Sequence, residues 1–291
     1  MRHITGFLKK AKTALEMIKF EHTVFALPFA FLGAFLAAGG PPGLKVSLWI
    51  LAGMVGARTT AMTFNRIADL QFDAKNPRTA ARALPKGDIR LEEAWGVMVF
   101  AALLYFLAAY ELNRLALILS PFVLALLLLY SYTKRFTFFC HIFLGLSIGI
   151  APTAGWIAVK GDVGPVPIVL SLGFLFWMAG FDILYACLDT EFDRKEGLKS
   201  IPAVFGAKKA FIISRLSHAI AFVLFALTGF LARLNWIYFA GVFAVFALLI
   251  AQGRLVKPND LSRINAAFFN CNAAISIILF AATAISLTWR M

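Results

Sequence analysis

Long apolar runs constrain this chain more than anything else in it. Nine recur, at about 20–38, 46–66, 94–111, 115–132, 138–158, 166–187, 209–232, 235–252 and 266–288. Most approach the roughly 20 residues a helix needs to cross hydrocarbon. Inside lipid only helices and closed barrels satisfy their own backbone polar groups, and these runs are too long for barrel strands. The expected fold is all-α: a polytopic membrane bundle of about nine transmembrane helices, one domain over residues 1–291. Composition agrees, since 15% of the residues are charged and 61% hydrophobic, against about 25% charged in soluble domains. "GGPPG" at 39–43 and "GDVGPVP" at 161–167 separate neighbouring runs.

The first run follows Lys9, Lys10 and Lys12, as a signal peptide would. It extends to about Ala38, longer than a typical signal core, and reads as a retained span. Cys140, Cys187 and Cys271 lie in or beside apolar runs without paired spacing. They read as packing residues, not as disulfides or a zinc site.

The net charge of +13 does not point to nucleic acid, because the basic residues are scattered over separate loops. With nine spans, 22 Lys and Arg fall on the side of the N-terminus and five on the other, leaving Arg58 inside the second span. The positive-inside rule then puts the N-terminus in the cytoplasm of an inner-membrane protein. Topology does not require carboxylates, yet Asp69, Asp73, Asp182, Asp189, Glu191, Asp193 and Glu196 all fall on that same side, at the ends of spans 2 and 6.

Two acidic stretches stand out. In "NRIADLQFD", Asn65, Asp69 and Asp73 are four apart, so a continuing helix places each about 40° from the last. Like charges at this spacing destabilise a bare helix, so the stripe wants a cation. Hard oxygen ligands suit Mg²⁺, which commonly combines one or two carboxylates with substrate phosphates. A solvated helix end with incidental acids is the competing reading. In "DILYACLDTEFD", Asp182, Asp189 and Asp193 fall within about 40° of one another, with Tyr185 about 60° aside. Asp182 lies well inside an apolar run, where a carboxylate implies function. If the two stripes face each other, they could hold Mg²⁺ around a diphosphate.

Basic residues flank both stripes. Arg78 and Arg82 follow the first, Lys134 and Arg135 end the fourth span, and Arg194 and Lys195 follow the second stripe. Each could clamp phosphate oxygens or be an ordinary inside-positive charge. Arg58 points about 20° from Asn65, one or two turns deeper. A buried arginine needs a partner: Asp182, or a substrate carboxylate. The histidines show no spacing for zinc or haem. His3 and His218 read as incidental, and His22 and His141 as local hydrogen-bonding groups.

Together these residues resemble the UbiA superfamily of intramembrane aromatic prenyltransferases. Its two aspartate-rich motifs are similar to the stretches quoted above. "RTAARALPKG" and "YSYTKRFT" are similar to its basic loops, and "FEHTVFALPFAFLGA" to its opening span. Ser131 stands where the family often has proline. The resemblance is nearest to 4-hydroxybenzoate polyprenyltransferases and to the prenyltransferases of the futalosine route to menaquinone. It implies a bundle around a central cavity open sideways to lipid. It also implies Mg²⁺ and diphosphate held by Asn65, Asp69, Asp73, Asp182, Asp189 and Asp193, with Tyr185 lining the cavity. Arg58 matches an arginine seven residues before the family's asparagine.

The implied reaction joins a polyprenyl diphosphate from the bilayer to the ring of a phenolic aromatic acid, a 4-hydroxybenzoate or alternatively a dihydroxynaphthoate, in quinone biosynthesis. Loss of diphosphate leaves an allylic cation that aromatic faces stabilise, and the ring proton passes to Asp189 or to the leaving diphosphate. Other classes compete: a transporter using Arg58 and Asp182 along an ion path, or a binding-only scaffold. A path would string polar groups across the bilayer, whereas these cluster at one face.

Overall fold

The structure is a computed structural model. It describes residues 13, 16–17, 21–258, 260–264 and 270–289, with the backbone alone over 21–26. Of the sequence expectations, Arg2, His3, Lys9, Lys10, Lys12, Lys19, Phe20, Arg290, the His22 side chain and the start of the ninth run at 266–269 lie outside these.

The described residues are helical, without strands beyond one isolated bridge between Lys257 and Asp260. In chain order they form α1 (Glu21–Ala38), α2 (Leu44–Ala68), α3 (Leu70–Lys75), α4 (Ala83–Lys86), α5 (Leu91–Leu112), α6 (Arg114–Phe136), α7 (Cys140–Gly149) and α8 (Ala151–Lys160). Then follow α9 (Pro165–Ala186), a 3₁₀ turn (Cys187–Asp189), α10 (Thr190–Lys195), α11 (Ile201–Phe205), α12 (Ala207–Leu231), α13 (Trp236–Leu255) and α14 (Asn272–Thr288).

Six stretches are long and apolar enough to cross a bilayer: Leu91–Leu112, Arg114–Phe136, Cys140–Lys160, Pro165–Lys195, Ala207–Leu231 and Trp236–Leu255. Leu27–Ala38 and Asn272–Thr288 are apolar but shorter. α2 has 25 residues but carries Lys45, Arg58 and Arg66, and is less apolar. Outward faces carry Phe100, Phe122, Phe230 and Trp236, all exposed. Apolar surface on this scale suits lipid, not water. The chain is a multi-pass membrane protein.

Local chemistry sets the helix ends. Gly39 turns the chain after α1 at φ 71°, a region open mainly to glycine. The Asn113 and Asn235 side chains accept from the amides of Ala116 and Ile237, capping α6 and α13. The single run expected over 138–158 is divided at Ile150. Pro152 follows two residues later and has no N–H to continue the ladder, which accounts for the break.

Packing divides the bundle into a solid part and a hollow part. α1 meets α8 backbone to backbone: a Cβ on Gly33 would lie 1.8 Å from the Pro152 carbonyl oxygen, and one on Gly155 1.9 Å from that of Ala30. Close approach of this kind drives helix association in lipid, where apolar burial contributes little. Phe29, Phe174, Trp177 and Phe225 fill the centre beside them, with Phe29 and Phe174 ring centroids 4.1 Å apart. A chamber of ≈ 580 Å³ is lined instead by α2, α5, α6, α7 and α8.

Candidate active site

The first acidic stretch does not continue α2 as one helix. Asp69 leaves helical geometry at φ −97°, ψ 7°, between α2 and the six-residue α3. That bridge region is sparsely allowed and frequent in active sites. The ladder survives the break, since Asp69 N–H reaches Asn65 O and Asp73 N–H reaches Asp69 O. Asn65 Nδ2 donates to Asp69 Oδ2 at 3.0 Å and to Ser131 Oγ at 3.4 Å. Arg135 reaches Asp69 Oδ1 at 3.4 Å, and its guanidinium lies 4.7 Å from the Tyr132 ring centroid. Asp73 is buried, and Arg82 donates to both its oxygens at 2.7 Å. Burial first, then the charge of Asp73, push the Asp69 carboxyl above its ordinary value against the pull of Arg135.

The second stretch repeats this plan. α9 ends at Ala186, the 3₁₀ turn follows, and Asp189 sits at φ −107°, ψ 9° before the six-residue α10. Asp193, four residues on, has no exposure. Ser200 Oγ donates to its Oδ2 at 2.8 Å, and Lys134 Nζ lies 2.7 Å from its Oδ1. Asp189 is gripped from the first half: Arg78 bonds both oxygens, with Nε at 2.9 Å from Oδ1, and Asn76 Nδ2 donates to Oδ1 at 3.1 Å. Burial alone would lower the Arg78 pKa, but its bonds to Asp189 outweigh that and raise it. Lys75 and Glu196 close a further cross-link at 2.8 Å.

The aspartates of both stretches, with Asn65, Asn76, Arg78, Arg82, Lys134 and Arg135, line a polar cavity of ≈ 220 Å³ together with Tyr130, Tyr185 and His141. Asn65 and Tyr130 also line the apolar chamber, so the two spaces share a wall. Arg66, Arg78, Arg82, Lys134 and Arg135 face Asp69, Asp73, Asp182, Asp189 and Asp193. The cavity is thus formally neutral, and a polyanion entering it needs added positive charge. Among the described residues, no three His, Cys, Asp or Glu side chains gather closely enough to hold a metal alone. Asp69 and Asp182 keep the most open carboxylates of the five, with side chains 30% and 24% exposed. This donor set fits Mg²⁺ carried with a diphosphate, whose oxygens would complete the shell; it does not fit a metal held by protein alone.

Several expectations need correction. Arg58 does not pair with Asp182, whose partner is His141, with Nδ1 2.7 Å from Oδ2. Arg58 instead lines the apolar chamber, and its buried Nε has no hydrogen-bond partner. Arg194 and Lys195 do not line the polar cavity: Arg194 Nε donates to the Ala203 carbonyl at 2.9 Å, and Lys195 is exposed. At about 100° per residue, one helix turn cannot point Asp193 and its two successors the same way. Asp189 is a poor proton acceptor, since three donors already occupy its oxygens.

Some site residues escaped the sequence reading. Arg66 is one of the 22 basic residues on the side of the N-terminus, but it is buried, 3.9 Å from Asp73, and donates to the Met17 carbonyl at 3.4 Å. Asn76 and Ser200 carried no signal of their own. His141, at the end of an apolar run facing the acidic side, reads from the sequence as a local hydrogen-bonding group, and the structure gives it bonds to Asp182 and Ile201.

Fold and site define a class: a helical membrane bundle in which a charged cavity adjoins an apolar chamber. The sequence pattern of the UbiA prenyltransferase family matches residues 26–278, and the chain belongs to that family; it is a prenyltransferase. A 4-hydroxybenzoate octaprenyltransferase of Escherichia fergusonii is 32% identical over 251 residues, 86% of each chain. One of Photobacterium profundum is 29% identical over 282 residues, 96% of this chain and 98% of its own. The apo structure of a UbiA homologue from Aeropyrum pernix K1 superposes with a TM-score of 0.83 at 36% identity, covering 91% of this chain and 98% of that one. A UbiA homologue from Archaeoglobus fulgidus bound to DMAPP and Mg²⁺ shares the fold at 22% identity and a TM-score of 0.68, covering 94% of this chain and 99% of that one.

Proposed function

We propose that the protein transfers a polyprenyl group from polyprenyl diphosphate to the ring of a 4-hydroxybenzoate-like acid, with Mg²⁺, in quinone biosynthesis. The observation that carries this reading is Arg58, a cation with an unpaired Nε in the apolar chamber next to the charged cavity. It lies roughly 10 Å along α2 from Asn65. A buried arginine calls for an anion, and an acceptor carboxylate supplies one. The name shared by the bacterial relatives points to the same acceptor.

Arg78, Arg82, Lys134 and Arg135 retain N–H donors beyond those given to aspartates, and these bind the diphosphate oxygens. Bound Mg²⁺, held by Asp69 and Asp182 with support from Asn65, Asp73, Asp189 and Asp193, would neutralise charge on the leaving diphosphate. The bond from prenyl C1 to oxygen breaks with its electron pair staying on the diphosphate. The faces of Tyr130 and Tyr185 stabilise the allylic cation. Arg58 orients the acceptor so that an electron-rich ring carbon attacks C1. The ring proton passes to the released diphosphate, given the occupied oxygens of Asp189. The apolar chamber holds the prenyl chain and keeps water from the cation.

The same reading places nine spans in the inner membrane, with the N-terminus and the polar cavity on the cytoplasmic side. Labelling supports that orientation if Lys75→Cys reacts only from the cytoplasm and Lys160→Cys only from the opposite side. The substrate test incubates purified protein with geranyl diphosphate, Mg²⁺ and either 4-hydroxybenzoate or a dihydroxynaphthoate. A prenylated hydroxybenzoate in the mass spectrum is the expected product. Product from the naphthoate alone would replace the acceptor, and no Mg²⁺-dependent diphosphate release would remove the reaction.

A further inference from the structure

We propose that His141 is a positioning residue that acts through Asp182. Its ring is almost wholly buried, at 2% exposure, and bonds on both sides. Nδ1 lies 2.7 Å from Asp182 Oδ2. Nε2 lies 3.2 Å from the backbone nitrogen of Ile201, which can only donate. Nε2 is therefore the accepting nitrogen, and the ring proton sits on Nδ1 and is donated to Asp182. A second proton on Nε2 would set two N–H groups against each other. The tautomer is fixed by packing, as the other ring nitrogen's bond usually fixes it in polar sites.

The geometry has two consequences. Asp182 lies on α9, and His141 on α7 holds one of its oxygens, so the carboxylate is aimed while its side chain stays 24% exposed to the polar cavity. None of the described lysines or arginines forms an ion pair with Asp182, unlike Asp69, Asp73, Asp189 and Asp193. Among the described residues, its orientation thus rests on the bond to His141. His141 also ties α9 to Ile201, whose neighbour Ser200 holds Asp193. One imidazole therefore links the deepest carboxylate of the second motif to the segment that anchors its last one.

The inference rests on the proposed reading only in bringing a prenyl diphosphate and Mg²⁺ into this cavity; the aromatic acceptor plays no part. The test measures Mg²⁺-dependent binding of geranyl diphosphate to the purified full-length protein by calorimetry, with melting temperature followed in parallel. His141→Asn keeps a donor near the Nδ1 position but loses the acceptor for Ile201. His141→Gln can accept from Ile201 but loses the donor to Asp182. Binding is expected to stay within about threefold of wild type in His141→Asn and to weaken about 10–100-fold in His141→Gln, the scale for removing an outer partner of a ligating carboxylate. Asp182→Asn should weaken binding as much, and adding His141→Gln to it should weaken it no further. Retained binding in His141→Gln, equal loss in both His141 variants, or additive losses in the double variant would each overturn the proposal. Absence of Mg²⁺-dependent binding by the wild type would instead sink the functional reading and this inference with it.

Discussion

Asp69 and Asp189 occupy the same point of two like elements, each in bridge-region geometry between a long helix and a six-residue one, each four residues before a buried aspartate. Their surroundings differ. Asp189 is closed by Arg78 and Asn76, which come from the opposite half, whereas Asp69 has one neutral donor and a long contact to Arg135. The comparison separates work that one aspartate cannot do at once: the closed half locks the two ends of the cavity together, and the open half keeps a carboxylate free for a ligand. The buried pair differs too: among the described residues, Asp73 has Arg82 at 2.7 Å and Arg66 at 3.9 Å, but Asp193 pairs with Lys134 alone.

The largest stability effect should break that last contrast. Lys134→Met leaves a fully buried carboxylate without its cation and should cost about 3–5 kcal/mol. Arg82→Met leaves Arg66 near Asp73 and should cost about half as much; thermal unfolding in detergent reads both, and equal losses would erase the distinction. Activity separates the other pair. Asp69→Ala should lower turnover by about 10²–10³-fold, the scale for losing one preorganised electrostatic group, with little change in melting temperature. Asp189→Ala should lower both, because Arg78 and Asn76 lose their acceptor.

A pH titration sharpens the contrast further. Metal binding needs the ionised form of Asp69, whose pKa stands above 3.8 through burial and the nearby Asp73 charge. Mg²⁺ affinity should therefore fall as pH drops through that raised pKa, earlier than for an ordinary carboxylate, and Asp69→Asn should flatten this limb. The raised pKa of Arg78 keeps the Asp189 lock charged throughout. An acid limb that persists in Asp69→Asn would assign it elsewhere. The smallest effect belongs to Arg194→Ala, which removes only a bond to the Ala203 carbonyl and should change turnover by less than about threefold.

Much of this site was legible in advance because carboxylates are costly in an apolar background. Asp182 stood out there for that reason, and Asn65, Asp69, Asp73, Asp189 and Asp193 by their spacing of four; all six line one cavity. The basic residues were less legible, because lysines and arginines near cytoplasmic helix ends also serve topology. Crowding against the acidic stretches favoured Arg78, Arg82, Lys134 and Arg135 over Arg194 and Lys195, and helix rotation keeps the last two out of the cavity. Arg66 and Asn76 blended into a charged loop and a turn.

By itself, the sequence determined that the chain is helical and crosses a membrane, and where its two acidic stretches lie. Those properties follow from backbone satisfaction in lipid and from local spacing, which act over tens of residues. Tertiary structure alone decided which cation meets which acid: Arg78 with Asp189, 111 residues away, and His141 with Asp182, 41 residues away. It also decided that Arg58 faces an apolar chamber with its Nε unpaired. Partners so distant in the chain meet only through the packing of whole helices, and no local pattern encodes that meeting.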